Sequence, residues 1–160
     1  MTNTTSFEPI SDIASDWTRA FAERRASAFA AAFADDIVLE AAILNKPIFG
    51  RENVQHVMEA ASKIYEHLVF TAKAADGHRQ YVEWTAVAFH GVELAGVTVI
   101  TRNEDGSISR LAIHHRPLQG ALLFSQRLAE RLRDVINPSH FFSVSNLPTG
   151  MGADDHDPQS

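Results

Sequence analysis

The chain has 160 residues, 45% of them hydrophobic, and a formal net charge of −6, which suits one domain with a substantial core and argues against a nucleic-acid partner. It has no cysteine, which excludes disulfides and thiolate metal sites, and its longest apolar run, 28–34, is much shorter than the ~20 residues of a membrane span. Because the first six residues are polar and uncharged, unlike a signal peptide, we expect a cytoplasmic protein that makes no membrane contact.

Two helices and a strand are predicted in the first third of the chain. The first helix is indicated by apolar residues at helical spacing, Ile13, Trp17, Ala20 and Phe21. The alanine-rich run 27–34 predicts a second, short and buried helix, which Asp35 and Asp36 should end. The β-branched and apolar run 37–43 predicts a strand.

A long helix and four strands are predicted next. Gly50 precedes the longest helical pattern, whose apolar positions are Val54, Val57, Met58, Ala61, Ile64, Tyr65 and Leu68. Strands are predicted at 68–74, 79–89, 92–102 and 108–116. Each connection contains a glycine, which supplies the positive φ that tight hairpins need. These strands should therefore form an antiparallel meander, followed by a last helix over 122–136.

The order of elements predicts one α+β domain over residues 11–136, including the C-terminal helix. Residues 1–10 are expected to be a flexible N-terminus. Residues 137–160 are rich in Pro, Gly, Ser and Asp and should form a tail that is either mobile or docked through Phe141, Phe142 and Leu147.

This order, together with three short sequences, resembles the nuclear-transport-factor-2-like superfamily, which includes ketosteroid isomerases, limonene epoxide hydrolases and SnoaL-like polyketide cyclases. The sequences are Ala-Phe-Ala-Asp-Asp at 32–36, Pro-Ile-Phe-Gly-Arg-Glu-Asn-Val at 47–54 and Asp-Gly-Ser-Ile at 105–108. The resemblance implies a curved antiparallel sheet wrapped around helices to form a cone-shaped pocket, usually in a homodimer. It does not fix the function, because the superfamily contains enzymes, transport factors and binding modules.

The catalytic residues of two of these enzyme families do not transfer to this sequence. The resemblance implies that the general base of ketosteroid isomerases falls on Ala41, their oxyanion tyrosine on Trp17 and their protonated aspartate on Thr98. The aspartate with which limonene epoxide hydrolases activate water falls near Ile113. None of these side chains can perform those roles, so both mechanisms are disfavoured.

The predicted hairpins allow the pocket wall to be deduced. A two-residue turn at His90-Gly91 would pair Glu83 with Thr98, and a four-residue loop at 103–106 would pair Thr98 with Leu111. Since the resemblance puts position 98 in the pocket, the predicted inward set is Tyr81, Glu83, Thr85, Gly96, Thr98, Ile100, Leu111, Ile113 and His115. The further candidates for the pocket lining are Trp17, Phe21, Phe33, Leu39, Ala41, Phe49, Met58 and Tyr65, although apolar residues at such spacing are more often ordinary core.

The same register predicts which residues face outward: Trp84, Ala86, Ala88, Ala95, Val97, Val99, Ala112 and His114. This set is too apolar for a solvent-exposed surface. We therefore expect a homodimer that forms through the outer face of the sheet.

On the predicted inward face, His115 and Glu83 are the strongly ionisable residues, and an imidazole beside a carboxylate can act as a general base. His114 and His115 should point to opposite faces of their strand, so no metal site is predicted, and no motif indicates a cofactor. The leading hypothesis is a cofactor-free binding domain for a small apolar organic molecule. The alternatives are an isomerase, dehydratase or cyclase that uses His115 and Glu83, and a structural module whose pocket is filled by side chains.

Overall fold

The computed structural model describes residues 12–147. Its helices are α1 (Ser15–Glu23), α2 (Ala26–Ala32), α3 (Arg51–Ile64) and α4 (Leu118–Arg131). Its strands are β1 (Phe33–Ala41), β2 (Ile48–Phe49), β3 (His67–Asp76), β4 (Arg79–Ala88), β5 (Val92–Arg102) and β6 (Ile108–Arg116). The predictions for residues 1–11 and 148–160 lie outside the described residues.

Across residues 12–147, the six strands form one curved, open sheet in the order β2-β1-β6-β5-β4-β3. Strands β3 to β6 are joined by three successive hairpins, as predicted, and β1 is parallel to β6. The helices contribute the buried residues Trp17, Phe29, Val54, Met58 and Phe124 to one core with the inner face of the sheet. The predicted α+β fold, a curved sheet wrapped around helices, is confirmed.

Strand β1 begins four residues earlier than predicted. Phe33 is extended and pairs with Ile108, and an irregularity in the ladder separates this pair from Val38 and Arg110. Asp35 and Asp36 therefore lie exposed in a strand and do not end a helix. Long-range strand pairing here outweighs the helix propensity of the alanines.

The β4–β5 hairpin differs from the prediction by one residue. Its turn has three residues with positive φ, Phe89, His90 and Gly91, so Ala88 pairs with Val92 and Val82 pairs with Thr98. A one-residue change of register moves every side chain of a strand to the other face. The predicted orientations of β4 are therefore wrong: the outer face carries Tyr81, Glu83 and Thr85, and the inner face carries Trp84, Ala86 and Ala88.

The β5–β6 hairpin differs by two residues, which preserves the facing of its side chains. Thr98 pairs with Ile113 and Gly96 with His115. The inner face of these two strands accordingly carries Gly96, Thr98, Ile100, Leu111, Ile113 and His115. His114 points to the outer face, where it pairs with Val97.

The start of the tail docks onto the domain. Phe141 is 1% exposed and forms an isolated bridge with Leu44. The Ser125 Oγ hydroxyl on α4 donates to the Ile43 carbonyl at 2.6 Å and accepts the Phe142 N–H at 2.8 Å. These bonds tie α4 and the tail to the chain that follows β1. None of the helices between residues 12 and 147 is long and apolar enough to cross a membrane.

Candidate functional site

A small cavity lies between the inner face of the sheet and the helices. Its volume is about 20 Å³, which is room for about one water molecule. Aromatic rings supply much of its wall, from Trp17, Phe21, Tyr65, Phe70, Trp84 and Phe124. Phe124 stacks on Tyr65 with ring centroids 4.9 Å apart, and Trp17 meets Phe21 edge to face at the same distance.

Nine of the residues predicted to line a pocket do line this cavity: Trp17, Phe21, Leu39, Ala41, Met58, Tyr65, Thr98, Ile113 and His115. They include all four positions on which the resemblance would place catalytic groups of ketosteroid isomerases or limonene epoxide hydrolases. Those positions therefore surround one space, although Trp17, Ala41, Thr98 and Ile113 are not acids or bases.

The other predicted lining residues lie elsewhere. Phe33, Ile100 and Leu111 are fully buried in the core away from the cavity. Phe49 is 63% exposed, because the short strand β2 turns its side chain outward. Tyr81, Glu83 and Thr85 lie on the outer face as a result of the three-residue turn.

Sequence reasoning missed several lining residues, among them Trp84, Phe70, Phe124 and Leu128. Trp84 was missed because the assumed register turned it outward. Phe124 and Leu128 are four residues apart and share a helix face with Ala121, so the helical spacing could have revealed them. Nothing local in the sequence indicated that this face would cover the cavity.

Gly96 makes room for the Trp84 indole on the inner face. A Cβ at position 96 would lie 2.5 Å from Trp84 Cζ2 and would also collide with the His114 carbonyl oxygen. Trp84 Nε1 donates to Thr98 Oγ1 at 3.2 Å, and its ring meets His115 edge to face at 5.4 Å. The indole thus orders two polar side chains of the wall.

Two polar atoms of the wall stand out. Within residues 12–147, neither Trp17 Nε1 nor His115 Nδ1 forms a hydrogen bond of normal geometry, although both atoms are buried. The His115 ring does interact with the backbone of Ile113. A buried polar atom that forms no hydrogen bond costs about 1–3 kcal/mol, so this feature calls for an explanation.

The cavity disfavours charge of either sign. Burial lowers the pKa of His115 to about 4; a hydrogen bond to the Ile113 backbone acts in the opposite direction, and the neighbouring His114 lowers the pKa slightly further. Burial also raises the pKa of Tyr65. Of the described side chains, those that line the cavity are all uncharged near neutral pH. The predicted partner of His115, Glu83, is on the opposite face of the sheet, so the predicted acid–base pair does not exist.

In the described part of the chain, no group of three or more His, Asp or Glu side chains is placed to hold a metal ion. His114 and His115 project from opposite faces of β6, so they cannot chelate one ion together.

The family of the chain is indicated by a sequence model. The model described as a SnoaL-like domain matches residues 14–111. No curated protein matches the chain in sequence.

Several solved structures have the same fold. An uncharacterised protein with a cystatin-like fold from Silicibacter pomeroyi has a TM-score of 0.73 and 19% identity, over 79% of this chain and 89% of that one. A steroid delta-isomerase from Pseudomonas aeruginosa has a TM-score of 0.68 and 23% identity, over 75% and 88% of the two chains. A protein of ketosteroid isomerase-like fold from Catenulispora acidiphila, solved with trimethylamine, has a TM-score of 0.60 and 16% identity, over 74% and 95%. At these identities the similarity establishes the fold alone.

Proposed function

Since the chain belongs to the SnoaL-like domain family, within the nuclear-transport-factor-2-like superfamily, we propose that it binds a small, mostly apolar organic molecule in the cavity. The observation that carries this proposal is the wall itself. It is uncharged in the part contributed by residues 12–147, it is rich in aromatic rings, and its polar side chains are few, among them Thr98 and His115. A pocket with apolar walls and a few polar atoms is typical of small-molecule sites.

Binding requires side chains to move, because the cavity volume of about 20 Å³ is far below the roughly 300 Å³ of common ligand pockets. Phe124 is one of the large side chains that limit the space. Its ring covers Tyr65 and lies 5.9 Å from the His115 ring, between centroids. A smaller side chain at position 124 would enlarge the cavity from the helix side.

The small volume favours a second candidate function, a structural module whose interior is filled by its own side chains. In that case the wall would be ordinary core and the molecule would act through its surface. The two functions differ in one measurable property. A binding domain binds an apolar molecule in its unmodified form, whereas a structural module binds one only after a core side chain has been replaced by a smaller one.

Catalysis by His115 has less support. A base with a pKa of about 4 removes protons weakly near neutral pH, since general bases work best when their pKa is close to the operating pH. Because Glu83 faces outward, it cannot raise that pKa from within the cavity. We therefore favour binding over proton transfer.

The test uses methylenecyclohexane, a neutral hydrocarbon, and follows the backbone amide signals by NMR. We expect saturable shifts around the cavity in the unmodified protein, tighter binding in Phe124→Leu, and loss of binding in Ala41→Leu, whose larger side chain would occupy the space. Leu123→Ala, at an exposed position of α4, is the matched control and should bind as the unmodified protein does. If only Phe124→Leu binds the probe, the structural module is the correct reading.

We also propose a homodimer through the outer face of the sheet. Its support is the apolar character of four neighbouring side chains on that face, Ala95, Val97, Val99 and Ala112. The strip that they form is narrower than predicted, because Trp84, Ala86 and Ala88 belong to the inner face. Light scattering tests this: Ala95→Arg should give monomers by placing an unpaired charge in the interface, whereas Gln126→Arg, on the exposed side of α4, should not. A monomeric unmodified protein at micromolar concentration would refute the dimer.

A further inference from the structure

We propose that helix α1 is the gate of the cavity: it moves about Ala14 and Arg24 to admit the ligand, and an ion pair between Asp16 and Arg102 is the latch that holds it closed. This inference rests on the proposed binding function and adds how the ligand enters. An entry route is needed, because a closed cavity of about 20 Å³ has no room for an organic molecule.

Helix α1 forms one side of the cavity wall through Trp17 and Phe21. Both rings pack on Phe29 of α2, with centroids 5.8 Å and 5.1 Å away from it. Phe21 also approaches Phe70 of β3, at 6.0 Å. These contacts are apolar, and apolar contacts have no fixed direction. They can therefore be re-formed after a small displacement of the helix.

The polar contacts of α1 with the rest of the fold come from one pair of side chains. Within residues 12–147, the hydrogen bonds and ion pairs between α1 and another helix or strand all join Asp16 to Arg102. Arg102 Nη1 donates to Asp16 Oδ2 at 2.9 Å, and Nη2 donates to Oδ1 at 2.6 Å. Arg102 is itself fixed to the sheet, because its Nε donates to Gln80 at 2.8 Å. This ion pair therefore fastens α1 to the sheet.

The other two helices that line the cavity are attached at more than one place. On α3, Arg51 Nε donates to the Phe33 carbonyl of β1 at 3.1 Å, and Glu59 accepts a backbone N–H at the start of α2 at 2.8 Å. On α4, Ser125 Oγ bonds both to the chain that follows β1 and to the tail. Hydrogen bonds weaken steeply when their geometry is disturbed. Among these helices, α1 is thus the one whose movement requires a single pair of side chains to separate.

The two tryptophans of the wall show the same difference between the sheet and α1. Trp84 Nε1 donates to Thr98 Oγ1 at 3.2 Å, and its ring packs so closely on Gly96 that a Cβ there would lie 2.5 Å from it. Trp17 Nε1 forms no hydrogen bond of normal geometry within residues 12–147. Trp84 is therefore fixed in place, whereas no polar contact of the indole holds Trp17.

Both ends of α1 have an unusual backbone conformation. Ala14 precedes the helix with φ 55°, and Arg24 follows it with φ 54°, both in the left-handed region. Residues other than glycine seldom adopt this conformation, so at each end a more favourable one becomes available when the helix is displaced. Residues at the end of an element that absorb changes in φ and ψ are the usual hinges of a moving segment.

The first test measures hydrogen exchange of the indole N–H groups in the full-length, ¹⁵N-labelled protein without a ligand. The chain has 2 tryptophans. The Trp84 signal reports global unfolding, whereas the Trp17 signal also reports local opening of α1, so we expect Trp17 to exchange faster. Asp16→Asn keeps the shape of the side chain and removes its charge. It should accelerate exchange at Trp17 about fivefold and change exchange at Trp84 by less than about twofold.

Glu40→Gln is the matched control, because Glu40 accepts two bonds from Arg110 in the same kind of geometry, at 3.2 Å and 3.0 Å. It should leave both indole signals unchanged. Arg102→Gln removes the latch from the sheet side and should act as Asp16→Asn does. If the two latch variants accelerate both indoles equally, they lower global stability only, and the gate is refuted. Unchanged exchange at Trp17 refutes it as well.

The second test measures the association and dissociation rate constants of methylenecyclohexane by NMR. The latch is closed both with and without the ligand, so Asp16→Asn should raise both rate constants about fivefold and change the dissociation constant by less than about twofold. Unchanged rate constants, with the hydrocarbon still bound, would overturn the gate and leave the binding function standing. If the unmodified protein binds no hydrocarbon, the binding function fails and the gate fails with it.

Discussion

The two faces of the sheet are built from the same strands but differ in chemistry. The inner face carries Trp84, Thr98 and Ile113 against the helices, and its polar atoms are neutral. The outer face carries charged residues beside its apolar strip, including an ion pair in which Arg110 meets Glu40 at 3.0 Å. Because side chains alternate along a strand, one residue of register separates these two environments. The function of each residue therefore depends on hairpin length as much as on residue type.

The largest effect on stability is expected at Gly96, where the inner face leaves no space for a side chain. Gly96→Ala would force a Cβ into the His114 carbonyl oxygen and the Trp84 ring, and we expect the free energy of unfolding to fall by about 3 kcal/mol or more. Gly120→Ala is the matched control. Its Cβ would meet only the flexible end of Leu94 and the Pro117 ring, and alanine favours the helix by up to about 1 kcal/mol. Urea unfolding measures the free energy of unfolding of both variants. Equal decreases in the two would show that the Trp84 ring does not pack closely against Gly96.

The next largest effect is on the pH dependence of stability. It distinguishes His115 on the inner face from His114 on the outer face. The folded-state pKa of His115 is about 4, below the ordinary value of 6.5, so the unfolded chain binds the proton first as the pH falls. The contribution of His115 to stability is thus intact above about pH 6.5 and is lost as the pH falls toward 4, by about 2 to 3 kcal/mol. His115→Gln should remove this part of the acid sensitivity in urea titrations near pH 7 and pH 4.5. His114→Gln, on the exposed outer face, should retain it, and identical behaviour of the two variants would contradict the account.

The smallest expected effect is an absence of coupling across the sheet. Glu83→Gln removes a carboxylate from the outer face, where Glu83 pairs with Val97 and Ala72. We expect the NMR titration of His115 to be unchanged, because the sheet and the Trp84 indole lie between the two side chains. A clear decrease of the His115 pKa in Glu83→Gln would mean that β4 has the register predicted from the sequence.

The strands and their order could be predicted because their signals are local. Alternating β-branched residues and a glycine in each connection defined β3 to β6 to within two residues of their observed ends. Strand β1 was harder to place. Its first residue, Phe33, is fixed by pairing with Ile108, which lies 75 positions away along the chain, and no local pattern reports such a contact.

The lining of the cavity was predicted only in part, for a related reason. Trp17, Met58, Thr98 and His115 were found from helical spacing, hairpin parity and the family resemblance. Glu83 was assigned to the wrong face because Phe89 was expected in the strand. Phe89 belongs to the turn and has a positive φ, which is uncommon for an aromatic residue and which the sequence does not indicate. The near closure of the cavity depends on how Phe124 stacks on Tyr65, and such packing is not encoded in a residue pattern.

Native mass spectrometry of the full-length protein with methylenecyclohexane tests the central claim most directly, because it counts the molecules held by each protomer. The account predicts one bound hydrocarbon per protomer in the unmodified protein and none in Ala41→Leu, with both proteins folded. Equal uptake by the two proteins, or uptake by neither, would contradict the claim that the inner face of this sheet encloses a binding site.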